Sequence, residues 1–329
     1  MKALYKIKKG LDLHLEGEAA HKVRTIKPSA VYALSPDDFN GIVPRVVVKE
    51  GQHVDAGDPL FVDKATEKIH FVSPVSGTVA AIVRGDRRKL LHVSVQSDGK
   101  QTCRQDSPIA IDKASGSDIL ASLLKAGLFA FVRQRPYDVI ASPEVMPKAI
   151  FVSAFSKMPL AADFSFAVEG HEDDFKTGLR ALAKMAPVHL GISPEQINTP
   201  LLPVKEVQVS VFAGPNPAGN VGVHINHVDP INKGEVVWTL DPGAVVMIGR
   251  YVATGRVIME RRIAVAGSGV TEPDYADVLV GTPIADLLDG RLAETDRHMR
   301  IINGNPLVGY KSEKVGFLGA FSREVCVIP

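Results

Sequence analysis

The chain has 329 residues, room for two or three domains, and its 45% hydrophobic and 23% charged content is that of a folded globular protein. A formal net charge of +1 excludes a general electrostatic hold on nucleic acid. Two cysteines, Cys103 and Cys326, cannot supply the four thiolates of an ordinary iron–sulfur cluster or Cys-rich zinc site, and both are expected as free thiols. The most apolar run, Val236 to Ala253, is broken by Asp241, Pro242, Gly243 and Arg250, so no bilayer span is expected. The start, Met1 to Lys6, lacks the apolar core of a signal peptide. A cytoplasmic chain that meets a membrane only through partners is the expectation. Two basic clusters, Arg84, Arg87, Arg88 and Lys89, then Arg256, Arg261 and Arg262, read as solvated faces.

Three textures follow one another along the chain. Residues 1–110 form the first expected unit. Val46-Val47-Val48 is a β-branched run, and Gly51 and Gly57 bracket Val54 as turn, short strand and turn. Phe61-Val62, Ile69 to Val72 and Gly77-Thr78-Val79 continue the series of short strands, the pattern of a small barrel or sandwich. Residues 111–255 alternate between periods. Ser117 to Lys125 is predicted as a helix closed by Gly127. Ala149 to Ala154 is an apolar strand, Phe175 to Met185 a helix, and Val207, Val209 and Val211 alternate as a strand does; together these predict an α/β domain. Residues 256–329 give a strand at Arg256 to Gly267, a capped short helix at Thr282 to Gly290 and a strand at Arg300 to Leu307, which fits a β-grasp module.

The spacing Lys49-Glu50-Gly51, Val54, Gly57, Leu60, Pro74, Gly77 resembles a lipoyl- or biotinyl-type barrel-sandwich domain. A carrier domain needs its modified lysine at the hairpin tip. Here that position holds Glu67, between Lys64 and Lys68, so a structural barrel is expected, not a lipoylated carrier.

The next stretches are Leu123 to Pro136, Ala149 to Phe155 and Pro159 to Asp163. With them goes Gly214-Pro215-Asn216-Pro217-Ala218-Gly219, followed by Gly222-Val223-His224-Ile225. Their order and spacing resemble the A subunit of the bacterial Na+-translocating NADH:quinone oxidoreductases (the NQR complex). More distantly they are similar to the flavin- and NADH-binding subunit of respiratory complex I. Val278 to Leu288 resembles the ligand-binding β-grasp (SLBB-like) module of the same superfamily, and Phe317 to Pro329 also matches. The resemblance therefore implies an α+β multidomain fold: a lipoyl-like barrel-sandwich, an α/β Rossmann-like domain like that of the complex I flavin subunit, and a β-grasp domain. Family members continue beyond a strand like Val325 to Ile328, so a further C-terminal segment is expected.

In the complex I relative a glycine-rich loop after the helix lets the backbone approach flavin and nucleotide phosphates, since glycine has no Cβ in the way. Only Gly127 remains here, and Phe129, Phe131, Val132, Arg133 and Gln134 fill the place of the glycines. Lys157, Met158 and Pro159 stand where that relative carries acidic residues. No flavin or NADH is expected on this chain. His224, His227 and Asp229 are of metal-binding type but read as polar residues fixing a loop, so no metal is expected. No Gly-x-Ser-x-Gly elbow marks a Ser-His-Asp hydrolase, and no catalytic residue is assigned. The Pro215 to Gly219 segment is no phosphate-binding Walker loop either, because no Gly-Lys-Ser/Thr follows.

The family resemblance implies a peripheral subunit on the cytoplasmic face of the bacterial inner membrane, supporting quinone reduction coupled to sodium export. FMN, FAD, riboflavin and iron–sulfur groups would sit on partner subunits of the complex, with ubiquinone or menaquinone as this chain's ligand. A quinone needs an apolar groove with a few polar groups at its carbonyls. Phe129, Phe131, Arg133, Arg135 and Tyr137 have that character, as do Pro215, His224 and Trp238. Two other readings stand beside this one. The chain could be a scaffold without ligand, or an Rnf-type electron-transport subunit whose iron–sulfur clusters lie in the further C-terminal segment.

Overall fold

A computed structural model describes residues 3–200, 202 and 204–329; Met1 and Lys2, used above in judging the N-terminus, lie outside the described residues. From Val31 to Ser97 the chain forms two small facing sheets. One runs in the order Val31–Leu34, Leu90–Ser97, Gly77–Arg84, His53–Val54, and the other Pro44–Val46, Pro59–Asp63, His70–Val72. Leu60, Phe61, Phe71, Val79, Val93 and Val95 are buried between them, which is what the short alternating strands require. This is the expected barrel-sandwich. At its hairpin tip Glu67 takes a positive φ of 54° and pairs with Arg45 at 3.0 Å, while Lys68 pairs with Glu144 at 2.5 Å.

The α/β domain is built on a seven-stranded sheet. Five strands run parallel in the order Ala3–Lys6, Val207–Ala213, Val188–Ile192, Ile150–Ser153, Val237–Leu240. Arg133–Arg135 and Val139–Ile140 extend it antiparallel. The central strands are covered on both sides, which explains their unbroken apolar runs. Ile150, Val152, Leu190 and Trp238 join the main core with Phe175, Leu179, Val245 and Ile248 of helices Glu172–Ala183 and Pro242–Thr254. Phe151 and Val237 point the other way, onto Ile225 of helix Val221–Val228. Helix Gly116–Ala126 starts one cap earlier than its sequence suggests. Ser115 and Asp118 form a reciprocal capping box, and Gly127 closes the helix at φ 73°.

The third sheet has six strands in the order Tyr310–Ser312, Arg300–Asn303, Glu324–Ile328, Glu260–Ala266, Asp274–Leu279, Val23–Arg24. Helix Ile284–Leu287 packs Ile284 and Leu287 onto Ile263, Val265, Val278 and Val325. Two boundaries differ from the sequence expectation. The strand begins at Glu260, not at Arg256. Thr282 does not cap the short helix, because its hydroxyl donates back to the Leu279 carbonyl at 2.7 Å.

Residues 3–24 belong to none of the barrel's strands. Ala3–Lys6 forms an edge of the α/β sheet and Val23–Arg24 an edge of the third. Arg24 holds the second attachment, donating to Asp274 at 2.9 Å and Glu272 at 2.7 Å, while Arg291 takes the other oxygen of Asp274. The three domains meet at Phe39. Its ring centroid lies 4.5 Å from Phe71 of the barrel, 6.2 Å from Phe131 of the α/β domain and 5.6 Å from Phe321 of the third domain. Phe39→Ala is expected to cost about 3–5 kcal/mol. Urea unfolding measures it, and a loss below about 1 kcal/mol, the size of an ordinary surface effect, would show that the junction does not tie the domains together.

Candidate functional site

Parallel α/β sheets place ligands outside the carboxyl ends of their strands, where the loops diverge. Strands Ile150–Ser153 and Val237–Leu240 end at a cleft of about 550 Å³, lined by Ser153, Thr239 and Leu240. The barrel contributes Asp37, Asp38 and Asn40, and the third domain contributes Asn303, Tyr310, Phe321 and Arg323. All three domains thus form its walls.

The loop Gly214 to Asn220 makes one side. Ser153 donates to the Gly219 carbonyl at 2.8 Å, and Asn220 caps helix Val221–Val228 by accepting from Gly222 N–H at 2.8 Å. The loop is clasped from behind by the N-terminal segment. Leu11 N–H donates to the Asn216 carbonyl at 3.0 Å, and Asn216 N–H donates to Asp12 at 2.7 Å. Asn216 and Asn220 are left facing the cleft.

Opposite them, Arg133 lies 4.0 Å above the Phe321 ring and 3.5 Å from Asp138, and Arg135 reaches Asp138 at 3.3 Å. Asp38 accepts from Ala320 N–H at 3.0 Å and from the Tyr310 hydroxyl at 3.2 Å. Burial nevertheless holds its carboxyl above the usual range. Burial and the neighbouring Asp38 raise Tyr310. Glu324, also on the cleft, is pushed up by burial. The arrangement offers guanidinium, amide, hydroxyl and carboxyl groups around an apolar floor of Phe131, Leu240 and Phe321. Such a set can hold carbonyl oxygens of a largely apolar ligand.

Of the eight residues singled out from the sequence, Phe131, Arg133 and Arg135 line this cleft. The structure keeps the other five out of it. Phe129 and Trp238 are fully buried in the main core, edge to face at 5.4 Å. Tyr137 is 81% exposed on the turn after Arg133–Arg135. Pro215 packs beside Gly10 while its neighbour Asn216 faces the cleft. His224 is buried, stacked on Phe212 at 3.8 Å, with Nε2 2.8 Å from the Ala218 carbonyl. Gly191 makes room for it, since a Cβ there would lie 2.2 Å from His224 Nδ1. Asn216 stood in a motif the sequence marked. Asp38, Asn303, Tyr310 and Glu324 carried no signal, because they reach the cleft only through long-range packing.

The remaining glycine of the nucleotide-type loop has another use. A Cβ on Gly127 would lie 2.4 Å from Val72 Cγ1, so this glycine lets the helix end press on the barrel. Leu128–Phe131 follow as a buried 3₁₀ turn. The segment therefore does not fit a flavin or nucleotide phosphate. His227 is bonded to the Val223 carbonyl at 2.8 Å and Asp229 pairs with Lys148 at 2.7 Å. Among the described residues no group of three His, Cys, Asp or Glu could hold a metal ion, and no helix is long and apolar enough to cross a membrane. Both cysteines are free. Of the second basic cluster Arg256 is exposed as expected, but Arg261 is buried and Arg262 is bound to Asp277 at 2.8 Å, because their strand lies inside the third sheet.

Comparison with known proteins matches the same three units. The NqrA N-terminal barrel-sandwich hybrid domain matches residues 5–98, the NqrA second alpha/beta domain 114–257 and the NQRA C-terminal domain 262–314. The A subunit of the Na(+)-translocating NADH-quinone reductase of Hahella chejuensis is 34% identical over 98% of this chain and 72% of its own length. The chain belongs to this NqrA family. The members from Neisseria meningitidis serogroup B, 33% identical, and Rhodopirellula baltica, 35% identical, match 99% and 98% of this chain and 73% and 72% of their own lengths. As a member of the NqrA family it is one component of a multi-subunit oxidoreductase. Among solved structures, an air-oxidized NAD+-reducing [NiFe]-hydrogenase overlaps 68% of this chain and 51% of its own at a TM-score of 0.46 and 10% identity, too loose a likeness to argue from.

His224 gives this NqrA family member a pH dependence. Burial pushes its imidazole from 6.5 down to about 4. The unfolded chain therefore binds the proton first. The contribution to stability is complete above about 6.5 and is lost as pH falls towards about 4. His224→Gln is expected to flatten the fall of unfolding free energy across that window, by at most about 1.4 kcal/mol per pH unit. Urea titrations at several pH values read the two slopes, and identical slopes would remove His224 as the cause.

Proposed function

We propose that this chain is the quinone-lining and docking subunit of its complex, and that it carries no redox centre of its own. The cleft between the three domains carries this reading. It pairs an apolar floor with Arg133, Asn216, Asn303 and Tyr310 at the rim, the composition a quinone ring and its carbonyls call for. A cradle segment filled by Leu128 to Phe131 supports the absence of flavin and NADH here. The hard electron chemistry then belongs to FMN, FAD, riboflavin and iron–sulfur groups on partner subunits. Relatives are named as subunits of a Na(+)-translocating NADH-quinone reductase. The chain would accordingly sit at the cytoplasmic face of the inner membrane, held there by those partners, with ubiquinone or menaquinone as its ligand.

Within this role Arg133 would donate to a quinone carbonyl while Phe321 and Phe131 pack against the ring. A hydrogen bond from a charged donor is worth about 1.5–3 kcal/mol. Arg133→Met is therefore expected to weaken a short-chain ubiquinone about tenfold or more in isothermal titration against the purified chain. Tyr137→Ala, outside the cleft, should leave the affinity unchanged. Equal affinities for wild type and Arg133→Met would take quinone out of the cleft and leave the docking scaffold.

A further inference from the structure

A second, smaller site lies where the third domain meets the α/β domain. Arg250 comes from helix Pro242–Thr254, Arg261 and Arg262 from strand Glu260–Ala266, and Arg323 from the turn before Glu324–Ile328; all four line one half-open crevice. Three of these guanidinium groups have a close carboxylate. Arg250 meets Asp174 at 3.3 Å and Glu260 at 3.5 Å, Arg262 binds Asp277 through both nitrogens at 2.8 and 3.2 Å, and Arg323 reaches Asp241 at 3.3 Å.

Arg261 is different. Its side chain is 4% exposed, and one nitrogen donates to the Ser322 carbonyl at 3.0 Å, but Nε and Nη2 have no hydrogen-bond partner. Its sole carboxylate neighbour among the described ion pairs is Asp241, at 3.8 Å. Asp241 is already engaged, since it caps the helix through Gly243 N–H at 2.8 Å and also pairs with Arg323. A guanidinium does not shed its proton, so a buried one short of acceptors is costly unless an anion is supplied.

The geometry has a place for that anion. The crevice abuts the first turn of the 13-residue helix, whose N-terminus favours negative charge. Gly243 stands in that turn, where a Cβ would crowd Asp241 Oδ1 at 2.9 Å and sit 3.6 Å from Arg261 Nη2. The crevice volume of about 50 Å³ is room for roughly three to five waters at about 10–15 Å³ each, the size of a carboxylate or phosphate group. Asp241, Glu260, Asp277 and His171 also face it. The shortage of acceptors is confined to Arg261.

We propose that this crevice binds a small oxyanion, a carboxylate or phosphate group, held by Arg261 and Arg323 against the N-terminus of helix Pro242–Thr254. The anion would link the third domain to the α/β domain beside the large cleft, with Asp241 and Arg323 bordering both.

Thermal unfolding of the full chain tests it, with sodium phosphate, methyl phosphate and acetate each compared with sodium chloride at matched ionic strength. A saturating rise in Tm of about 2–4 °C over chloride is expected. A response to phosphate alone points to the free ion, one shared by methyl phosphate to an esterified group, and one to acetate to a carboxylate; each supports the site. Arg261→Met should remain folded without anion, because an apolar side chain of similar length relieves the buried charge, and should lose the rise. Should that variant unfold, Arg323→Gln takes its place and should show the same loss. Equal responses to all four salts in wild type, or an undiminished rise in the folded variant, would overturn the proposal.

Discussion

The structure depends on five aromatic rings meeting at one point. Phe39, Phe61 and Phe71 belong to the barrel, Phe131 to the α/β domain and Phe321 to the third domain, and Phe39 touches every other member. Apolar area removed from water is worth about 25 cal/mol per Å², and edge-to-face rings add their own preference of angle. The junction therefore fixes orientation as well as distance. Since the walls of the large cleft come from the same three domains, its shape is set by this contact. Arg133 stacking on Phe321 extends the same contact to the cleft's edge.

The barrel and the parallel strands could be read in the chain because their signals are local. Short β-branched runs between glycines gave the strands around Val54 and Gly77, and the spacing from Ile119 to Leu123 gave the first long helix. Positions governed by packing at a distance were less legible. Phe129, close to Arg133 and Arg135 in sequence, and Trp238 both looked able to contact a ligand, yet both are buried in the main core. Helix Val221–Val228 was hidden because it is eight residues long and follows a proline-rich loop. Arg261 and Arg262 looked like an ordinary charged surface, and the strand pairing that turns them inward connects residues far apart in sequence.

The same limit applies to the site. The motif from Gly214 to Ile225 located one wall, and Arg133 and Arg135 a second. The third wall, with Asn303 and Tyr310, comes from a domain some 170 residues downstream of Arg133 and had no marker in the sequence. His224 shows the opposite case. It belongs to the Gly214 to Ile225 segment that carries the resemblance, yet its ring is packed between Phe212 and Phe155 and braces the loop. Its neighbours Asn216 and Asn220 present the polar atoms.

The two outer strands near the start of the chain have a consequence for biosynthesis. Ala3–Lys6 pairs with Ser210 to Ala213, and Val23–Arg24 with Tyr275 and Ala276. On the ribosome these opening segments have no hydrogen-bonding mate until some two hundred and two hundred and fifty further residues have been made. The barrel between them can close early, from strands within Val31 to Ser97. The nascent protein would thus carry a folded bead preceded by two loose segments, and these would be tucked in last, fastening the α/β sheet and the third sheet to each other.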